Sequence, residues 1–357
     1  MASGYHLRLI ASPTMGQQGD VPFPPGLASA IPSSELSPAQ TPDAYGMSLS
    51  VDGRIASGTA PTGTTRIVKS VTLSSIPYYY IYRRLWGITG TRLLVGAQEY
   101  TDIYLQHGPE IDFGEDTNAI LGIMPFGPDF IWVQKSTGGY FILNAADSRG
   151  TLYMQRSPLI QEMTATTLAR VAELDGKIYV TNTNGLYEYD YNRGMVNEVT
   201  RLIRDQAGAT APWLGDLTVD FHNKYIIAGT TFVYKADTQQ CFRWSGTDFR
   251  FTTRQFHMPD WTTFTMQRVS FIIEHNVTGN GTLKYQVRVE DAAWGREETV
   301  NIKTAAERYT VIKEDMPERG SLACRRWQMR ITQLTTGKYI KSILADGLEY
   351  DEDGFSE

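Results

Sequence analysis

The chain has 357 residues, with 41% hydrophobic, 11% aromatic and 20% charged residues, enough to bury a sizeable core without staples. Six acidic residues between 346 and 357, where no Lys or Arg occurs, account for the whole net charge of −6, so the remaining body is electrically balanced. A balanced body offers no basic field to condense onto phosphates, which argues against a sequence-reading nucleic-acid binder.

From the N-terminus, residues 11–65 are rich in Pro, Gly, Ser, Thr and Ala, as in Val21-Pro-Phe-Pro-Pro25, with no sustained apolar periodicity. Segment 1–65 therefore reads as an extended arm, with a disordered leader as the alternative. Phe23, Leu27, Ile31 and Met47 are dotted through it as anchors for a neighbouring subunit.

Ile67–Leu73 and Tyr78–Tyr82 supply early strands, and four hairpin signatures follow. Their first strands centre on Leu93-Leu94-Val95, Ile131-Trp132-Val133, Ile178-Tyr179-Val180 and Tyr225-Ile226-Ile227. The partners expected are Ile103–Leu105, Tyr140–Leu143, Leu186–Tyr189 and Phe232–Tyr234. Anchors 93, 131, 178 and 225 step by 38, 47 and 47 residues, and an all-strand repeat of that length is the mark of propeller blades.

Turn chemistry sits where hairpins need it. Thr89-Gly90 precedes the first strand, and Gly138-Gly139 serves the second unit. Asp175-Gly176 and Asn182-Thr-Asn184-Gly185 bracket the third, while Asn223-Lys224 and Gly229 serve the fourth. Four to five blades fit this inventory over 66–257, with late strands at Phe242–Trp244 and Phe249–Phe251 and one weak helix near Pro158–Leu174. A non-repeating sandwich is the alternative.

Between 258 and 345 the pattern changes to longer strands that alternate apolar with polar: Val269–His275, Gly281–Val289, Thr299–Lys303, Arg326–Ile331 and Lys338–Leu344. That is a sandwich-like platform with one wet face per strand, its turn marked by Asn276–Gly281. Residues 346–357 read as a solvated acidic tail. The fold class expected is all-β: a small or incomplete β-propeller with an extended N-terminal arm and a C-terminal β-sandwich-like module.

The search for chemistry yields no catalytic, cofactor-binding or metal-ligating set. His6, His107, His222, His257 and His275 lack metal-ligand spacing, and there is no nucleophile elbow or phosphate-cradling loop. Scattered carboxylates such as Glu99, Glu110, Asp112, Glu115 and Asp116 offer an acid and nucleophile pair for glycoside cleavage, but among 39 acidic residues their proximity in sequence proves little. Asn276 and Asn280 match glycosylation acceptors but read as turn residues. Cys241 and Cys324 lie far apart after a start with no secretory apolar run, so reduced thiols and synthesis in a cytoplasm are expected. No apolar stretch approaches the ~20 residues of a membrane-spanning helix, so no membrane insertion is expected.

Three segments carry a family resemblance. Ser37–Ile55, with its Pro-Asp-Ala stretch and Asp-Gly turn, resembles the opening of a group of bacteriophage virion proteins. Arg84–Gly96 is similar to their blade openings, and Arg325–Thr332 with Tyr339–Ile343 to the closing strands of their sandwich. Such proteins include the tail nozzle or hub of short-tailed phages. The resemblance implies a structural virion protein without enzyme activity: a homo-oligomeric ring, usually sixfold, around the DNA exit channel. It also implies contacts with a tail adaptor and with fibres or spikes, and non-specific passage of viral DNA. The rival reading is a carbohydrate-binding or glycan-degrading propeller at the virion surface, with Tyr78, Tyr79, Tyr80, Trp132 and Trp213 as sugar platforms.

Overall fold

The computed structural model describes residues 62–65, 70–73, 75–96, 110–146, 154–203, 211–230, 232–243, 249–258, 262–275, 279–290, 292–303, 309–315 and 324–351, with further strands at 2–11, 26–27, 40–41, 44–45, 47–49 and 55–57. Among them the regular structure is β-strand, apart from two 3-10 turns at Leu168–Arg170 and Arg201–Ile203. The chain forms two compact units, one of 62–200 and 210–230, the other of 1–61, 201–209 and 231–357.

The first unit carries the propeller blades, each an antiparallel meander. Blade one runs Ser70–Leu73, Ile76–Ile81, Arg84–Thr89, Arg92–Val95 and Glu110–Asp112. Blade two runs Ile120–Phe126, Phe130–Lys135, Gly138–Leu143 and Gln155–Arg156. Blade three runs Val171–Leu174, Lys177–Thr181, Leu186–Asp190 and Met195–Glu198. A fourth sheet follows, ordered Leu217–Asp220, Tyr225–Ala228, Phe232–Lys235 and Gln240–Arg243. The described blades therefore number four, at the low end of the expected range.

Period-two alternation explains how the blades stack. In blade two, Ile131, Val133, Tyr140 and Ile142 point into one buried cluster with Trp86, Leu93 and Phe113 of the preceding blade and its connection. Trp132, Phe141, Met124 and Phe126 point the other way, into a second cluster with Ile178, Val180 and Met163. Such a strand has no wet face, so it reads as a near-continuous apolar run. Each fully buried side chain of this size contributes roughly 1.5–3 kcal/mol.

The start of this unit is tied to its end. Thr64 and Val219 exchange both backbone hydrogen bonds, at 2.8 and 2.9 Å, and the Thr64 hydroxyl donates to Val219 O at 3.2 Å. Gly63 makes the approach possible, because a Cβ there would sit 2.5 Å from Thr218 Oγ1 and 2.9 Å from Val219 N.

The second unit is a two-sheet sandwich. One sheet is ordered Tyr309–Asp315, Thr262–His275, Lys338–Asp351, Ile55–Ser57 and Met47–Leu49, with Ala2–Ala11 also paired to Lys338–Asp351. The other is ordered Glu298–Ile302, Gly281–Val289, Arg326–Leu334, Arg250–Thr252 and Ala44–Tyr45, with Phe256–His257 paired to Arg326–Leu334. Phe256 stacks on Trp327 at 4.4 Å and 4°, and Phe271 meets Tyr285 at 5.3 Å.

Several expectations are corrected. Leu93 pairs with Ile88 and Ile111, so the first signature belongs to hairpins with its sequence neighbours; the proposed partner Ile103–Leu105 lies outside the described residues. The helix near Pro158–Leu174 is a single 3-10 turn followed by strand Val171–Leu174, because Val171, Ala172 and Leu174 are buried beside Lys177–Thr181. Gly138 and Gly139 are strand residues, not a turn. Asn182–Gly185 turns through the Asn182 carboxamide, which accepts from Asn184 N and Gly185 N, not through positive φ. Asp175 and Gly176 do adopt positive φ, 52° and 76°, as a tight primed turn requires. Phe249–Phe251 contributes to the sandwich and not to a blade.

The segment read as a free arm pairs within its own chain, since strands at 2–11, 44–45, 47–49 and 55–57 complete both sandwich sheets. Phe23 and Ile31 lie outside the described residues. The acidic segment begins inside a strand, because Asp346 to Asp351 continues Lys338–Asp351, whereas 352–357 lie outside the described residues. The Asn276–Gly281 turn is described only from Gly279 onward.

Candidate functional site

The carboxylates singled out in the sequence converge on the connection between blades one and two. Glu110 pairs with Arg92 at 3.0 Å, and Asp112 lies 3.9 Å from the same guanidinium and accepts from the Thr91 hydroxyl. Asp116 meets the fully buried Lys135 at 2.5 Å and accepts from Thr137 Oγ1 at 2.6 Å; Lys135 Nζ also donates to Phe113 O. Glu115 accepts from the Tyr140 hydroxyl at 2.9 Å and pairs with Arg156, whose guanidinium lies over the Phe113 and Tyr140 rings at 5.5 and 5.6 Å. Glu99 lies outside the described residues.

This electrostatic arrangement is a clasp. The Lys135 ammonium, aided by Thr137, holds the Asp116 carboxyl down to about 2, and burial with the Glu115 hydrogen bond pushes Tyr140 up to about 12. A glycosidase acid needs a carboxyl raised toward neutrality, and Asp116 is displaced in the opposite direction. Lys135 closes a strand that reads as apolar, Phe130–Lys135, and its charge is what fixes the connection at Phe113–Asp116.

Since its folded value lies below the unfolded one, Asp116 contributes stability that is complete above pH ~4 and is lost as the pH falls toward 2. Urea midpoints measured from pH 5 to 2 should decline, and Asp116→Asn should flatten that decline. An identical pH profile in the variant would contradict the assignment.

The aromatic platform expected of a glycan binder is mostly interior. Tyr78, Tyr79 and Trp213 are buried, Trp132 is wholly so, and Tyr80 alone of the five is exposed, at 57%. Trp132 and Trp213 are held by indole hydrogen bonds to Gln134 Oε1 and Asn182 O.

A different tryptophan, missed in the sequence, lies on the polar face of the sandwich. Trp294 sits over Arg330 at 4.0 Å and Arg288 at 5.1 Å; Arg288 Nη2 donates to Gln328 Oε1 at 2.6 Å, and Gln286 Nε2 to Gly295 O at 3.1 Å. The signal was available. Lys284, Gln286 and Arg288 alternate along one strand, and an aromatic follows in the next connection.

The remaining candidates are accounted for. His275 lies between Lys338 Nζ at 3.1 Å and Thr310 Oγ1 at 2.7 Å, and burial beside that ammonium lowers its pKa. His222 follows the Asp220 turn, whose carboxylate accepts from His222 N. His107 and the side chains of His6 and His257 lie outside the described residues. Cys241 and Cys324 are buried free thiols whose pKa values burial pushes up to about 12. Among the described residues no group of three or more His, Cys, Asp or Glu is placed to hold a metal, and no helix is long and apolar enough to cross a membrane.

The fold these sheets define is all-β, propeller blades followed by a sandwich module. No family model matches the chain, and no curated protein matches it. Among solved structures it is similar to an exo-β-1,3-galactanase from Phanerochaete chrysosporium with galactose, at 10% identity over 84% of this chain and 75% of that one, TM-score 0.24. It is also similar to a carbohydrate-binding module of Cel9A from Ruminococcus flavefaciens FD-1, at 15% identity over 24% of this chain and 72% of that one, TM-score 0.20. A third is TmCBM61 in complex with β-1,4-galactotriose, at 13% identity over 38% and 81% of the two chains, TM-score 0.18. At these TM-scores no residue role passes from them to this chain.

Proposed function

We propose that this chain is a structural component of a bacteriophage tail, a nozzle- or hub-type subunit that forms a ring with copies of itself around the DNA exit channel. The observation that carries the reading is the architecture: propeller blades followed by a two-sheet platform is the arrangement that the resemblance of Arg84–Gly96 and Arg325–Thr332 implies. The charge balance suits the role, because a conduit without a net positive field lets a polyanion pass at physiological salt. In this reading the chain is made in the bacterial cytoplasm and ends in the virion tail, meeting an adaptor above and fibres or spikes at its flank.

A second reading, glycan binding at the virion surface, is favoured by one observation: Trp294 with Arg288, Arg330, Gln286 and Gln328 places an aromatic ring among donors on a polar sheet face. Both are tested on one preparation. Electron microscopy of the purified chain should show closed rings, and virions labelled through this chain should carry the label at the tail. A dispersed monomer with no tail label would overturn the first reading. Retention on host surface glycans that Trp294→Ala abolishes would establish the second.

A further inference from the structure

Strand Tyr309–Asp315 is the outermost strand of its sheet: it pairs with Thr262–His275 on one side, and among the described residues with nothing on the other. Its side chains alternate, and Val311 is 55% and Tyr309 37% exposed on the outer face. An unpaired edge with apolar side chains beside it is a template for another strand.

The polar groups along this edge are chemically unsaturated in a specific way. Lys338, 1% exposed, donates from Nζ to Gly279 O at 2.8 Å and lies 3.1 Å from His275 Nδ1. An ammonium only donates, so Nδ1 accepts, Nε2 carries the ring proton and donates to Thr310 Oγ1 at 2.7 Å. The Thr310 hydroxyl hydrogen is thereby left to donate elsewhere. Glu314, on the same strand face, receives no hydrogen bond or ion pair among the described residues, and burial together with the Asp315 charge holds its pKa above the ordinary value. The strand thus carries one available donor and one unserved carboxylate, placed symmetrically about Ile312.

We propose that two copies of this chain pair through Tyr309–Asp315, antiparallel and in register about Ile312, so that the sheet continues across a two-fold axis. In that register Thr310 lies opposite Glu314 of the second copy, hydroxyl against carboxylate, and Ile312 faces its own counterpart. On the outer face Val311 lies opposite Lys313 of the second copy, so the one cation of the strand meets an aliphatic side chain, and Tyr309 lies opposite Asp315. Each of these pairs occurs twice except that of Ile312 with its counterpart, which lies on the axis. The contact is isologous and rests on no part of the ring reading; rings joined through it would have dihedral symmetry.

Sedimentation equilibrium of the full-length chain tests it. The wild-type chain should sediment as a dimer or as an even multiple, and Val311→Lys should halve that mass by setting Lys opposite Lys313 at both ends of the contact, weakening association about tenfold or more. Val311 is exposed, so the variant should keep the wild-type circular dichroism spectrum. Adding Lys313→Glu to Val311→Lys sets Lys opposite Glu and should restore the mass. A monomeric wild-type chain, or an assembly whose mass Val311→Lys leaves unchanged, overturns the edge contact; in the latter case the ring reading survives.

Discussion

Replacing Gly139 by alanine is expected to destabilise the blade unit by about 3 kcal/mol or more. A Cβ at Gly139 would overlap Cζ2 and Cη2 of Trp132, whose ring lies across the glycine on the neighbouring strand. The ring has nowhere to go. It is fully buried, packs edge-on against Phe141 at 4.9 Å, and donates from Nε1 to Gln134 Oε1 at 2.9 Å, while the Gln134 amide donates to Gly138 O and Met163 O. Either the indole leaves its rotamer and breaks that chain of hydrogen bonds, or the two strands separate; both disrupt the cluster shared with Ile178 and Val180. Gly194→Ala is the control, since its φ of 62° strains an alanine but no atom lies within 4 Å of the added methyl. It should cost only about 1–2 kcal/mol. Urea denaturation of both variants gives the comparison, and equal losses would mean that the Trp132 ring adapts.

The sequence makes three of the four blades legible for a physical reason that also explains where it misleads. The strands of blades two to four pair with their chain neighbours across short turns, so period-two runs and turn residues lie within a few positions of each other, as at Ile178–Val180, Asp175-Gly176 and Leu186–Tyr189. In blade one the same local signals were present in Arg84–Thr89, whose Trp86 and Ile88 alternate, but the apolar run at Ile103–Leu105 competed for the role of partner. Local pattern ranks candidates without saying which hydrogen bonds close.

Long-range pairing leaves no such trace. Ala2–Ala11 finds its partner in the last strand of the chain, and Ala44–Tyr45 pairs with Arg250–Thr252, so a Pro- and Ser-rich stretch that reads as an arm supplies edge strands to both sandwich sheets. Short strands at a sheet edge need little apolar periodicity of their own, because the strand beside them supplies the template. Charge placement is hidden in the same way. Lys135 and Gln134 sit in a run that reads as a buried strand, and both are indeed buried, but only the fold shows that Asp116 and Phe113 O arrive to meet the ammonium. Trp294 was overlooked because it lies in a connection; its two guanidinium neighbours come from Gly281–Val289 and Arg326–Leu334, far apart in sequence.

Lys177→Met is expected to destabilise blade three by about 3–5 kcal/mol, because it removes the cation from a carboxylate that the fold has taken out of water. Glu188 is 4% exposed and lies opposite Tyr179, whose hydroxyl donates to Oε2 at 2.9 Å; Lys177 Nζ pairs with Oε1 at 2.7 Å from the same sheet face. The opposite face of these strands carries Ile178 and Val180 into the apolar cluster, so the strand alternates between a dry core and an ion pair whose carboxylate is buried. Without the ammonium, a full charge 4% exposed loses its 2.7 Å cation partner and keeps the Tyr179 hydroxyl as a neutral donor. Removing the charge as well should recover most of the loss: in the double variant Lys177→Met/Glu188→Gln the new carboxamide keeps an oxygen for Tyr179 and demands no cation. The double-variant cycle, read by urea denaturation, therefore predicts strong non-additivity, with the double variant more stable than Lys177→Met alone. If the two single losses instead simply summed, the ion pair would be a surface ornament and the burial of Glu188 would need another source of compensation.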